Sequence, residues 1–219
     1  LIRPATERFA GEESALEKAI EIKRRAQRCI LNGDLDGALS EYEKLVASGD
    51  SDPYHSVLLA DLLYKKKDPS GATRRYLEAI DGYERVSLFK NAIAVCKKMT
   101  RLNLAPEKVL KRLANLHALD GLATEATLYY MQHAELVLKN DQPKDAIESL
   151  RLAHQVCPDN VKALERLADV QEIAGDREGA GRSLYEAAHQ YELTGQTLEA
   201  RRCQTRAEKI APGLSLKTE

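Results

Sequence analysis

The sequence has no tryptophan and only two phenylalanines among 219 residues, leaving nine tyrosines as its other large aromatics. Although 43% of the residues are apolar, this shortage of bulk suits thin helical layers better than one thick core. No apolar run approaches the roughly 18 residues of a membrane span. Neither sign of charge dominates: 33 basic against 34 acidic residues leave a net charge of -1. No global field therefore recommends nucleic acid or a membrane surface as partner. The four cysteines, Cys29, Cys96, Cys157 and Cys203, include no CxxC pair. Each falls in or at the end of an expected helix, and they read as small buried apolar groups in a reducing compartment. The five histidines, His55, His117, His133, His154 and His189, make no HxxxH or HExxH pattern, and there is no G-x-S-x-G or phosphate loop. An enzyme is not expected, nor is a metal or cofactor. His117 and His133 fall at core positions, where a hydrogen-bonded, half-buried imidazole is the expectation.

What the sequence does have is a spacing. An alanine, in one case an isoleucine, late in one helix is followed, twelve positions on, by an alanine early in the next: Ala26 with Ala38, Ala60 with Ala72, Ile80 with Ala92, Ala114 with Ala126, Ala134 with Ala146, Ala168 with Ala180, Ala188 with Ala200. Antiparallel helices approaching to roughly 8–9 Å need small side chains where their axes cross. Each pair therefore predicts a helical hairpin. The later members lie at 38, 72, 92, 126, 146, 180 and 200, so the steps alternate 34 and 20 and the pattern returns every 54 residues. A super-repeat of three helices accounts for this, with one long helix in each unit serving two successive pairs.

Helices are expected near 12–31, 36–48, 54–66, 70–86, 89–103, 107–119, 123–139, 143–156, 160–174, 177–194 and 197–210. Most of the breaks between them carry Gly, Pro, Asn or Asp, which end helices. Residues 1–11 are expected to be a poorly ordered lead-in, 12–212 one solenoid domain and 213–219 a disordered tail. The first residue is Leu rather than Met, which leaves room for a preceding signal, anchor or domain. The expected location is cytoplasmic.

In the stretch from Tyr130 to Pro158, Tyr130, Ala134, Val137, Ala146, Leu150, Ala153 and Pro158 fall at the offsets of W-x2-L-G-x2-Y, A-x3-F, A and P. In this the chain resembles the tetratricopeptide repeat superfamily, over about residues 15 to 212. It departs from that pattern where Ile22, Ser56 or Leu110 replaces the first large aromatic, and where the 20-residue steps break the ordinary register. It also looks somewhat like the longer-helix variant of vesicle-fusion adaptor proteins. The resemblance implies an all-helical, right-handed solenoid of about eleven helices. It further implies a non-catalytic scaffold or adaptor that presents a curved groove to a partner peptide or helix.

The resemblance also supplies a candidate site. Some members of the superfamily hold the carboxylates of a partner's C-terminal tail with a Lys and an Asn four apart on one helix and a Lys and an Arg four apart on a later one. Lys111 and Asn115 occupy the first offsets, Lys162 and Arg166 the second, and Gln132 stands for the middle asparagine. Against this, helices three apart lie on opposite layers of an alternating solenoid, and Asp169 is placed to pair with Arg166. Tyr129 and Tyr185 are the tyrosines freest to face a partner, while Tyr130 and Tyr191 are assigned to packing. A second basic set, Lys65, Lys66, Lys67, Arg74, Arg75, Lys97, Lys98, Lys108, Lys111 and Arg112, lies mostly at helix ends, where cations favour the dipole. It lacks interleaved aromatics, so nucleic acid is not the expected partner. The expected partner is a protein or peptide, with an acidic segment as one option. Self-association through terminal repeats and a role as the regulatory arm of a larger protein stand as alternatives.

Overall fold

A computed structural model describes the backbone of residues 5–47 and 52–214, and the side chains among these from Glu17 onward. Residues 1–4 of the expected lead-in, 48–51 of the break after the second helix and 215–219 of the expected tail lie outside them. Among the described residues there are eleven helices and no strand. They are α1 (Ala5–Leu31), α2 (Leu35–Ala47), α3 (Pro53–Lys65), α4 (Pro69–Arg85), α5 (Phe89–Arg101), α6 (Pro106–Leu119), α7 (Ala123–Lys139), α8 (Pro143–Val156), α9 (Val161–Ile173), α10 (Arg177–Leu193) and α11 (Thr197–Ile210). The bounds agree with the sequence reading to within two residues except at α1, which starts at Ala5 rather than near residue 12.

The helix ends follow from local chemistry. After α1, α3, α4, α5, α6, α7, α9 and α10 one residue turns left-handed: Gly33, Lys67, Ser87, Asn103, Gly121, Asp141, Gly175 and Gly195. The N–H of the next residue then donates back to a carbonyl five positions earlier, as Leu88 does to Tyr83 at 2.9 Å and Gln196 to Tyr191 at 2.8 Å. This is the Schellman closure, which satisfies carbonyls that the helix end leaves over. Helices α8 and α11 end instead in extended residues, Cys157 and Ala211, each forced out of the helical region by the proline that follows. At three starts an aspartate accepts from a glycine N–H three positions on: Asp34 from Gly37 at 2.9 Å, Asp68 from Gly71 at 2.8 Å, Asp176 from Gly179 at 2.9 Å.

The chain divides into two compact units, Leu1–Ala105 and Pro106–Glu219. In the first, Ala26, Ala38, Leu39, Tyr42, Leu45, Leu59 and Leu62 form a core joining α1, α2 and α3. In the second, successive clusters run along the helices: Ala114, Ala126, Tyr130, Ala153 and Ala163, then Ala134, Val137, Ala146, Leu150, Leu167 and Val170, then a third from Leu164 to Ala207. Every residue of the seven spaced pairs is buried, none more than 2% exposed. The small side chains thus sit where consecutive helices meet. Gly181 serves a related purpose on α10, since a Cβ there would stand 2.8 Å from Ala211 Cβ and 3.0 Å from a Leu214 methyl. Hairpins of consecutive helices with an alanine on at least one side of each such pair make the fold tetratricopeptide-like and, among the described residues, all-helical.

Candidate functional site

In the second unit, the contacts between a carboxylate and a basic side chain on another helix join helices two apart in the chain. Lys111 on α6 reaches Glu148 on α8 at 3.2 Å, and His154 on α8 meets Glu186 on α10 at 3.0 Å. On the odd-numbered helices, Arg166 on α9 grips Glu135 on α7 through Nε at 2.6 Å and a terminal nitrogen at 3.0 Å. Arg202 and Arg206 on α11 meet Glu165, Asp169 and Glu172 on α9, Arg206 at 2.7 and 2.8 Å from the last two. The even-numbered and odd-numbered helices thus form two sets.

This sorting separates the expected clamp residues. Lys111 and Asn115 belong to the first set, Lys162 and Arg166 to the second. Asn115 is occupied, its Oδ1 accepting from the Tyr130 hydroxyl at 2.7 Å. Arg166 is held by Glu135 and also by Asp169 at 3.5 Å, and these hydrogen bonds raise its pKa. Lys162 and Gln132 are exposed, and among the described residues neither has an ion pair or side-chain hydrogen bond. Tyr129 and Tyr185 are half-buried. Tyr129 stacks on His117 with ring centroids 5.1 Å apart and planes at 19°, and Tyr185 packs against the third cluster. Tyr130 and Tyr191 are buried, as the repeat register requires.

The buried polar groups work between helices. His133 on α7 is 3% exposed and its Nδ1 lies 2.7 Å from Ser149 Oγ on α8. Burial lowers its pKa first and the Lys111 ammonium second, against the opposing pull of Glu107, Asp145 and Glu148. In the first unit Asp61 accepts from the Tyr76 hydroxyl and from Lys98, and burial followed by that hydrogen bond drives the phenol pKa far up. Lys66 pairs with Asp36, and Arg75 with Glu78 at 2.9 Å. Part of the basic set is thereby neutralised within the fold. Cys96 and Cys203 are buried and Cys29 and Cys157 half-buried, all as free thiols. Among the described residues no group of His, Cys, Asp or Glu could hold a metal ion, and no helix is long and apolar enough to cross a membrane.

The sequence reading passed over a groove of about 300 Å³ across α8, α9 and α10. Leu164 and Leu167 of α9 line it together with Arg151, His154 and Gln155 of α8 and Gly179, Arg182, Ser183 and Glu186 of α10, and Gln171 completes it. Ser183 Oγ donates to Gln171 Oε1 at 2.7 Å. The sequence holds no distinct signal for it: Gln171 and Ser183 stand three after Ala168 and Ala180, and the same positions elsewhere hold pairs as varied as Cys29 with Glu41, Leu63 with Arg75 and His117 with Tyr129. Periodicity alone cannot bring together residues from three helices.

No protein-family profile matches the sequence, and no curated protein matches it. Among solved structures, a TPR repeats protein from Bacteroides fragilis is 12% identical, with 88% of this chain and 98% of that chain covered and a TM-score of 0.45. PilF of Pseudomonas aeruginosa is 15% identical over 92% and 95% of the two chains, with a TM-score of 0.35. A structure of the TPR2AB domain of yeast Sti1 in a pHSP90 complex is 15% identical over 88% and 98%, with a TM-score of 0.33. Each is a similarity at low identity, and the geometry above stands without it.

Proposed function

We propose that the chain is a non-catalytic protein-interaction scaffold, or adaptor, whose stacked hairpins present a curved groove to a peptide or helix of a partner. The observation that carries this reading is the groove across α8, α9 and α10, with apolar Leu164 and Leu167 beside polar Arg151, Gln155 and Arg182. A mostly preformed concavity with apolar surface and a few fixed polar groups is the usual make-up of a ligand site. Because packing already fixes these helices, a docking segment would bear most of the ordering cost. A right-handed superhelix built from 54-residue units belongs to the same proposal. It is supported by α4, α7 and α10 starting at 69, 123 and 177 and ending at 85, 139 and 193. Lys162 and Gln132 remain exposed positions that a partner could also touch, and a cytoplasmic location is part of the proposal.

The test places a photo-crosslinking residue at Gln155, which is exposed on the groove wall, and captures the full chain from its native lysate at moderate salt. A stoichiometric partner whose cross-linked peptide maps to position 155 supports the scaffold reading. Cross-links only between copies of the bait, or no adduct at all, overturn it in favour of self-assembly or of an arm acting within a larger protein.

A further inference from the structure

The chemistry of that groove identifies what it takes. Gln171 is 3% exposed, and its Oε1 is already engaged by Ser183. Its amide nitrogen has no hydrogen-bond partner among the described residues, and a Cβ on the groove residue Gly179 would lie 2.6 Å from it. That nitrogen is not sealed from solvent, so its hydrogens open on the groove, where a ligand oxygen could accept from them. Beside this donor stand two guanidinium groups. Arg151 is exposed and makes no ion pair among the described residues, whereas Arg182 gives one terminal nitrogen to Glu178 at 2.7 Å. Glu186 also lines the groove, but its carboxylate is taken by His154 at 3.0 Å.

We propose that the α8–α10 groove holds the carboxylate of an acidic side chain from an extended partner segment, with the Gln171 amide and the Arg151 and Arg182 guanidinium groups as its donors. This deepens the scaffold reading and rests on it for the identity of the ligand as a partner segment. The charge count selects a monoanion. Arg182 is answered by Glu178 and Glu186 is held by His154, which leaves Arg151 as the uncommitted charge; one carboxylate neutralises it, and a phosphate dianion would leave the groove negative. Leu164 and Leu167 offer apolar contact to the methylene stem of a glutamate. This set shares no residue with Lys111, Asn115, Lys162 and Arg166.

The experiment titrates the 15N-labelled full chain with butyrate, methyl phosphate and neutral butyramide, following the Gln171 side-chain amide and the Arg151 and Arg182 Nε–Hε signals. Butyrate should shift all three saturably. Arg151→Gln, an exposed change, should weaken it roughly tenfold, the loss of one charge-assisted hydrogen bond. Lys144→Gln, on the same helix outside the groove, should leave the affinity unchanged. No shift of the Gln171 amide at about 50 mM butyrate, a ceiling for weak ligands, overturns the site, as does an Arg151→Gln protein that binds as the parent does. Equal shifts with butyramide, or tighter binding of methyl phosphate, overturn the carboxylate assignment. These probes need no partner, so a failed titration leaves the scaffold reading standing, and a failed capture leaves this site standing.

Discussion

Arg166 closes on Glu135 as a two-pronged pair, Nε to Oε1 at 2.6 Å and a terminal nitrogen to Oε2 at 3.0 Å, linking α9 to α7. A planar guanidinium matches a carboxylate in this way where an ammonium would not. Both side chains remain partly exposed, at 31% and 47%, so solvent screens much of the attraction. A double-mutant cycle of Arg166→Gln and Glu135→Gln should give a coupling of about 0.5–1 kcal/mol in urea unfolding, reduced at high salt. A coupling near zero at low salt would show that the pair is incidental to stability.

The crossing of α7 and α8 tests the spacing itself. Ala134 and Ala146 are 2% and 0% exposed, with no room for a longer side chain without displacing a helix. Ala146→Leu should cost roughly 1–3 kcal/mol by overpacking. An unchanged urea midpoint would mean that the helix contact lies elsewhere.

These two sites show what the sequence could and could not reveal. Ala134 and Ala146 were legible because one backbone distance imposes one side-chain size at one spacing, an alanine at both positions in six of the seven pairs and Ile80 with Ala92 in the other, and the same regularity placed the helix bounds. Arg166 matched a family offset equally well, yet its charge is committed to Glu135, 31 positions away on another helix. A spacing rule describes one helix face and says nothing about a competing carboxylate on the neighbour. Asn115 matched in the same way and is taken by Tyr130. A warning was present here, because Asp61 and Tyr76 stand exactly 54 residues earlier and make the equivalent contact. The groove arginines, 151 and 182, stand 54 and 108 residues after Lys97 and Arg74, but repeat spacing gives no reason to bring the two together, and only the fold sets them beside Gln171.

Ser87 makes a separate prediction about helix ends. It is exposed and holds φ at +57° in the closure after α4, a conformation that costs an L-residue about 1–2 kcal/mol. Glycine avoids that strain but has more freedom to lose on folding. The net effect of Ser87→Gly should be a gain of about 0.5–1 kcal/mol, read as a rise in thermal midpoint. Ser87→Ala, which keeps the Cβ, should give no gain. Equal effects of the two would place the strain elsewhere.

His133 carries the pH prediction. Its imidazole is buried against Ser149, and its folded-state pKa lies below the ordinary value, chiefly because burial penalises the charged ring and secondarily because Lys111 is near. The unfolded chain therefore takes up this proton first as pH falls. Stability from this residue is complete above the unfolded pKa of about 6.5 and is lost as pH drops below it toward the folded value, where the loss levels off. Urea midpoints at pH 7.5 and 5.5 should show the parent losing stability, and His133→Gln, which cannot take up the proton, should lose less over the same interval. The comparison must be of slopes, because replacing the ring also disturbs packing at both pH values. A variant that loses as much on acidification as the parent would assign the acid sensitivity to the carboxylates around α7 and α8 instead of to this histidine.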